Sequence, residues 1–107
     1  MRKGGDDMTL KAAFMFIAPN ADPKVNKSVI DTGDVNLTTI GVRSYEQAVI
    51  EAIKLVDEGV NTLELCGGFG HKGVGMVSEA VKGKSVVGVV RFDSHPGLNN
   101  KSGDELF

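Results

Sequence analysis

The stretch DPKVNKSVIDTGDVNLTTIGV, Asp22 to Val42, decides the fold, because what it forms sets how the strand before it connects to the strand within it. Asp22-Pro23 has the chemistry of a helix start, a capping carboxylate followed by a proline at the first helical position. It predicts a short helix to about Asp31 that buries Val25, Val29 and Ile30, with a strand at Val35 to Val42 behind it. Upstream, LKAAFMFIA from Leu10 to Ala18 is almost continuously apolar and stops at Pro19, the pattern of a strand covered on both faces.

Downstream, Ser44-Tyr45-Glu46-Gln47 forms a capping box, in which the serine hydroxyl takes an orphan N–H and the glutamine reaches back toward the cap. Tyr45, Ala48, Val49, Ala52, Ile53 and Val56 then recur at helical spacing, and Gly59 supplies the stop. Thr62 to Cys66 reads as a third strand, Lys72 to about Val81 as a third helix with Val74, Val77 and Val81 inward, and Ser85 to Phe92 as a fourth strand.

The order βαβαβαβ implies parallel pairing and right-handed crossovers. The expected fold is a single-domain α/β protein with an open parallel sheet of flavodoxin-like order 2-1-3-4 and helices on both faces. A ferredoxin-like βαββαβ fold would need a hairpin between adjacent strands, for which we read no turn, and a half-barrel completed by dimerisation is the second architecture. The α/β domain spans residues 8–92. Residues 1–7 read as a flexible leader, and Met8 would serve as an alternative start. Residues 93–107 carry the turn pairs Pro96-Gly97, Asn99-Asn100 and Ser102-Gly103, with Leu98, Leu106 and Phe107 as anchors, and read as an arm that packs on the body or on a neighbouring subunit.

Composition excludes several classes of function. Twelve Lys and Arg stand against fourteen Asp and Glu, so there is no electrostatic footprint for nucleic acid. No apolar run approaches the ~20 residues of a membrane span, and the N-terminus lacks the core of a signal peptide. One cysteine allows no internal disulfide, which points to the cytoplasm. At 107 residues an elaborate site would need a second subunit, so a homo-oligomer is expected.

In a parallel sheet of this order the ligand crevice lies beyond the carboxyl ends of the strands. The loops there carry Asn20 and Asp22, then Cys66 to His71, then Asp93 and His95, so both histidines and the only cysteine converge on one edge. Gly68-Phe69-Gly70-His71-Lys72-Gly73 has the spacing of a dinucleotide fingerprint, but the chain supplies no βα units for the other half of such a cofactor, and no GK[ST] makes it a P-loop. No cofactor is specified.

A small anion fits the turn better. Gly67, Gly68, Phe69 and Gly70 would bring N–H groups to a helix N-terminus, and Lys72 or Arg43 would add charge, with Asn20 nearby. The alternative use of these glycines is simply a sharp strand-to-helix turn. Cys66 is a candidate nucleophile with His71 or His95 as base, or else a small buried hydrophobe. Cys66, His71, Asp93 and His95 match no tight zinc spacing, although a metal enzyme built on them is the alternative to ligand binding. Asp93 and His95, two apart, share a face if the strand continues, so that Asp93 orients His95; if Pro96 breaks the strand they are two solvated loop residues. Alternation places Glu64 opposite Leu63 and Leu65, and Arg91 on the neighbouring strand is its expected ion-pair partner, the alternative being a functional carboxylate at the pocket floor. A non-catalytic assembly module whose tail docks a neighbour is the third functional class.

The segments LKAAFMFIAPNADP, ELCGGFGHKGV, VVGVVRFDSHPGL and KSGDELF, above all CGGFGH and RFD-x-HPG, resemble a family of small prokaryotic α/β proteins of about a hundred residues without an assigned function. The resemblance covers nearly the whole chain from Met8. It implies a single domain and brings no activity or functional residues.

Overall fold

The computed structural model describes residues 9–107, so the expected leader at residues 1–7 lies outside the described residues. Five strands form one mixed sheet: β1 (Leu10–Ile17), β2 (Lys27–Asp31), β3 (Val35–Val42), β4 (Thr62–Leu65) and β5 (Val86–Val89), in the order β2-β3-β1-β4-β5. Two helices, α1 (Tyr45–Asp57) and α2 (His71–Ala80), connect β3 to β4 and β4 to β5.

The four expected strands are present and mutually parallel, but the sheet is not flavodoxin-like, because the expected first helix is absent. In its place the Asp22 carbonyl accepts from Val25 and Asn26 in a single turn, and the chain then extends as β2, antiparallel to β3. Val29 and Ile30 are exposed on this edge strand, and Val25 is exposed before it. The hairpin turns on Gly33, whose φ of +91° is open to glycine at no steric cost. Here the Thr32 N–H donates to the Val35 carbonyl, and the Val35 N–H returns to the Thr32 hydroxyl.

Loss of that helix leaves the expected cover on only one face. Both remaining crossovers step the same way across the sheet, so right-handedness sends α1 and α2 to the same side, where they pack against each other. The core lies beneath them: Ala13, Met15 and Ile17 of β1, Ile40 and Val42 of β3, and Leu63 and Leu65 of β4 face Ala48, Ala52, Leu55 and Val77 of the helices. The opposite face carries the alternate residues, among them Phe14, Thr39, Glu64 and Gly88 in one row across the strands.

Helix α1 begins as its sequence dictates. The Ser44 hydroxyl accepts from the Gln47 N–H at 3.1 Å, and the Gln47 amide oxygen reaches one residue past the cap to take the Arg43 N–H at 2.9 Å. Beyond β5, residues 93–107 run as an ordered arm with short 3-10 turns at Pro96–Leu98 and Gly103–Glu105. No helix among the described residues is long and apolar enough to cross a membrane.

Candidate functional site

Two structures meet at the carboxyl edge: a clamp that closes the N-terminus of α2, and a groove between α2 and β5. The clamp is built from the arm. Gly70 caps α2 and has no side chain with which to bond its first N–H groups. The Asp104 carboxylate does so instead, accepting from the Lys72 N–H at 3.0 and 3.1 Å and from the Gly73 N–H at 3.4 Å. Tyr45, the first residue of α1, donates its hydroxyl to Asp104 at 2.7 Å and accepts the Gly70 N–H at 3.0 Å.

The arm lies close enough that a Cβ at Gly103 would strike the Gly68 carbonyl, so only glycine fits there. A Ser102/Glu105 capping box fixes the last turn of the arm, and the Phe107 ring sits 6.3 Å from that of Tyr45, which stacks on Phe69 at 5.9 Å. Burial, then the bond to Asp104, push the Tyr45 hydroxyl well above its ordinary pKa. Burial acts to raise the Asp104 carboxyl, but the Tyr45 hydroxyl and the N–H groups of Lys72 and Gly73 outweigh it and hold the group below the usual carboxylate range.

The groove is a cavity of about 290 Å³ with walls of Phe69, Val74, Val89 and Phe92. Arg91, His71 and Asp93 stand at its mouth. Arg91 Nε donates to Asp93 at 2.8 Å, Arg91 Nη2 lies 3.3 Å from His71 Nε2, and His71 Nε2 is 3.8 Å from the same Asp93 oxygen. The guanidinium bonded to Asp93 holds that carboxyl below its ordinary range. All three side chains are open to water, so the cluster can exchange internal contacts for a ligand.

Residues 10–105 match DUF6506, a family of unknown function. The chain belongs to this family. Neither a curated protein nor a solved structure matches it. Membership in DUF6506 carries no residue roles, so these rest on the geometry alone.

That geometry separates the residues expected at one site. His71 and Asp93 come together at the groove, and Phe69 and Gly70 line it. Asp93 bonds Arg91 rather than orienting His95. His95 turns away to brace the arm: its Nδ1 accepts from the Gly97 N–H, and its ring packs 4.6 Å from that of Phe92. Cys66 is half-buried, with its sulfur accepting from the Gly68 N–H at 3.3 Å, and it does not line the groove. Asn20, Arg43 and Lys72 are exposed and also lie outside the groove lining. No three His, Cys, Asp or Glu side chains gather as a metal site among the described residues.

Two expectations are corrected. The N–H groups of Gly70, Lys72 and Gly73 at the start of α2 are engaged by Tyr45 and Asp104 rather than open to an outside anion, and the Gly67 and Gly68 backbone sits buried beneath the arm and Phe92. Glu64 does not pair with Arg91. Glu64 stands level with Gly88 on the bare face, whereas Arg91, three residues on, has the opposite parity and points to the helix side with His71 and Asp93. Sequence reasoning missed Asp104 and Tyr45 as a pair. The Ser-x-x-Glu box at Ser102 to Glu105 was the available signal, because it marks the arm as ordered.

Proposed function

We propose that this chain binds a small molecule with an apolar body and an anionic head in the groove between α2 and β5, at the carboxyl edge of the sheet. The observation that carries the reading is the position of Arg91 and His71 at the mouth of an apolar cavity. A guanidinium presents five N–H donors in a planar fork, and only part of that set is engaged by Asp93 and His71. A ligand carboxylate or phosphate would displace Asp93 from the fork, with the apolar body against Phe69, Val74 and Phe92. The size of the cavity suits a ring or a short acyl chain rather than a dinucleotide. His71 beside the head group would supply a proton donor or acceptor if the bound molecule reacts. We place this activity in the cytoplasm, in keeping with the single cysteine.

The test is amide chemical-shift mapping with benzoate and hexanoate as probes. Saturable shifts are expected at Val74, Gly75, Val89 and Phe92, weakened roughly tenfold in Arg91→Gln. Absence of saturable shifts at these amides, or equal affinity in the variant, would refute the proposal.

A further inference from the structure

The sheet face opposite the helices is largely apolar, left open by both helices and arranged to match itself, and we infer that a second copy of this chain covers it. Pairing register defines two rows across the strands. One runs Ser28, Thr39, Phe14, Glu64, Gly88 and the other Ile30, Leu37, Ala12, Thr62, Val86, from β2 to β5 in each case. The ends of the second row are open to water, with Ile30 58% and Val86 67% exposed. Between these ends Leu37 and Thr62 are half-buried and Ala12 is closed in by its neighbours, so the row forms a smooth surface across the sheet, and an apolar surface of that width with no layer over it marks a contact.

Among the described residues the chain covers only one corner of this face, where Ala21 of the segment before β2 sits over Gly41 and Phe16, outside the two rows. Both helices lie on the other face, and the arm is engaged at the N-terminus of α2. In these two rows Glu64 is the one charge, which argues against a strongly basic or acidic partner. Strand lengths and a spacing of about 4.8 Å give a flat outline of about 450 Å² per copy. The pair then buries about 900 Å², below the ~1,200 Å² at the lower end of stable interfaces, so the expected dimer is weak, in the micromolar range.

The charge also selects the symmetry axis. Two sheets stack with their strands nearly aligned, and a twofold axis lying between them and centred on Phe14 runs either across the strands or along β1. An axis across the strands sets Glu64 against its own copy, two carboxylates with no counter-charge. An axis along β1 exchanges the two halves of each row. Glu64 then faces Thr39 of the partner subunit, whose hydroxyl can donate to it, Ile30 faces Val86, Ser28 faces the open space at Gly88, and Phe14 meets Phe14.

The experiment compares wild type with Ile30→Glu, Val86→Lys and the double variant by sedimentation equilibrium from low to high micromolar protein, with circular dichroism to confirm folding. Both positions are exposed in the single chain, so each variant should fold. Wild type should dimerise, and each single variant should weaken association ~100-fold or more by setting a charge against an apolar neighbour. The double variant should recover it, because the carboxylate introduced at position 30 of one copy would meet the ammonium introduced at position 86 of the other. A monomeric wild type, or single variants that associate as wild type does, would overturn the proposal. Singles that dissociate without recovery in the double variant would overturn the axis along β1.

Discussion

Replacing Asp104 with alanine tests the clamp directly. The change removes the acceptor for the N–H groups of Lys72 and Gly73 and the partner of the Tyr45 hydroxyl in one step. Losing a cap-type bond at a helix N-terminus costs about 1 kcal/mol, and losing a negative charge there costs about 0.3–1 kcal/mol. Stranding the Tyr45 hydroxyl in a buried ring cluster costs about 1 kcal/mol more. These effects overlap, and the expected loss is about 2–3 kcal/mol, a fall of about 10–20 °C in Tm for a domain of this size. Asp104→Asn keeps an acceptor and loses the charge, so it should cost about 1 kcal/mol. Thermal unfolding gives the magnitude, and amide exchange at Lys72, Gly73 and Gly103 to Phe107 gives the location.

Acid provides an independent check. Because the Asp104 carboxyl is lowered in the fold, the unfolded chain binds its proton first on acidification. Its contribution is therefore complete above the unfolded value of about 3.9 and is lost as pH falls through the folded value. Wild type should lose stability through this range faster than Asp104→Asn. An Asp104→Ala protein with Tm within about 3 °C of wild type and unchanged exchange at the arm would refute the clamp.

Two further outcomes follow from single residues. Tyr45 is the only tyrosine, so ultraviolet titration reports it alone; ionisation should begin well above the ordinary value of about 10 in the folded protein and return to it in denaturant. Ionisation near 10 without unfolding would contradict its burial against Asp104. At Gly33 an added Cβ meets nothing within 4 Å, so Gly33→Ala should cost only the strain of its positive φ, about 1 kcal/mol or about 4–8 °C in Tm, and an unchanged Tm would count against the hairpin geometry.

The strands and helices that form the core were legible because each carries a pattern of its own. LKAAFMFIA, the box at Ser44 and the glycine turn before α2 all specify local structure that packing does not need to override. Residues 22–34 were not legible, because Val25, Val29 and Ile30 have helical spacing while Val29 and Ile30 are β-branched, and an edge strand exposed on both faces shows no burial alternation. Gly33-Asp34 was the sign of a turn there. At the site, the meeting of His71 with Asp93 followed from strand order, whereas the role of Arg91 depended on its parity relative to Gly88, which only the register fixes. The anion expected at the glycine turn is present in kind, but it is a carboxylate of the same chain.

The clamp at α2 also orders events during synthesis. Tyr45 and Gly70 leave the ribosome before Asp104, so for a time α2 has a glycine cap, unbonded N–H groups in its first turn and a tyrosine hydroxyl with no acceptor. That end of the helix must fray until the arm arrives, and closing the loop between them adds only a slowly growing entropy cost. The arm can therefore close on α2 only after all five strands have been made, and the nascent chain keeps its clamp open until Asp104 has emerged.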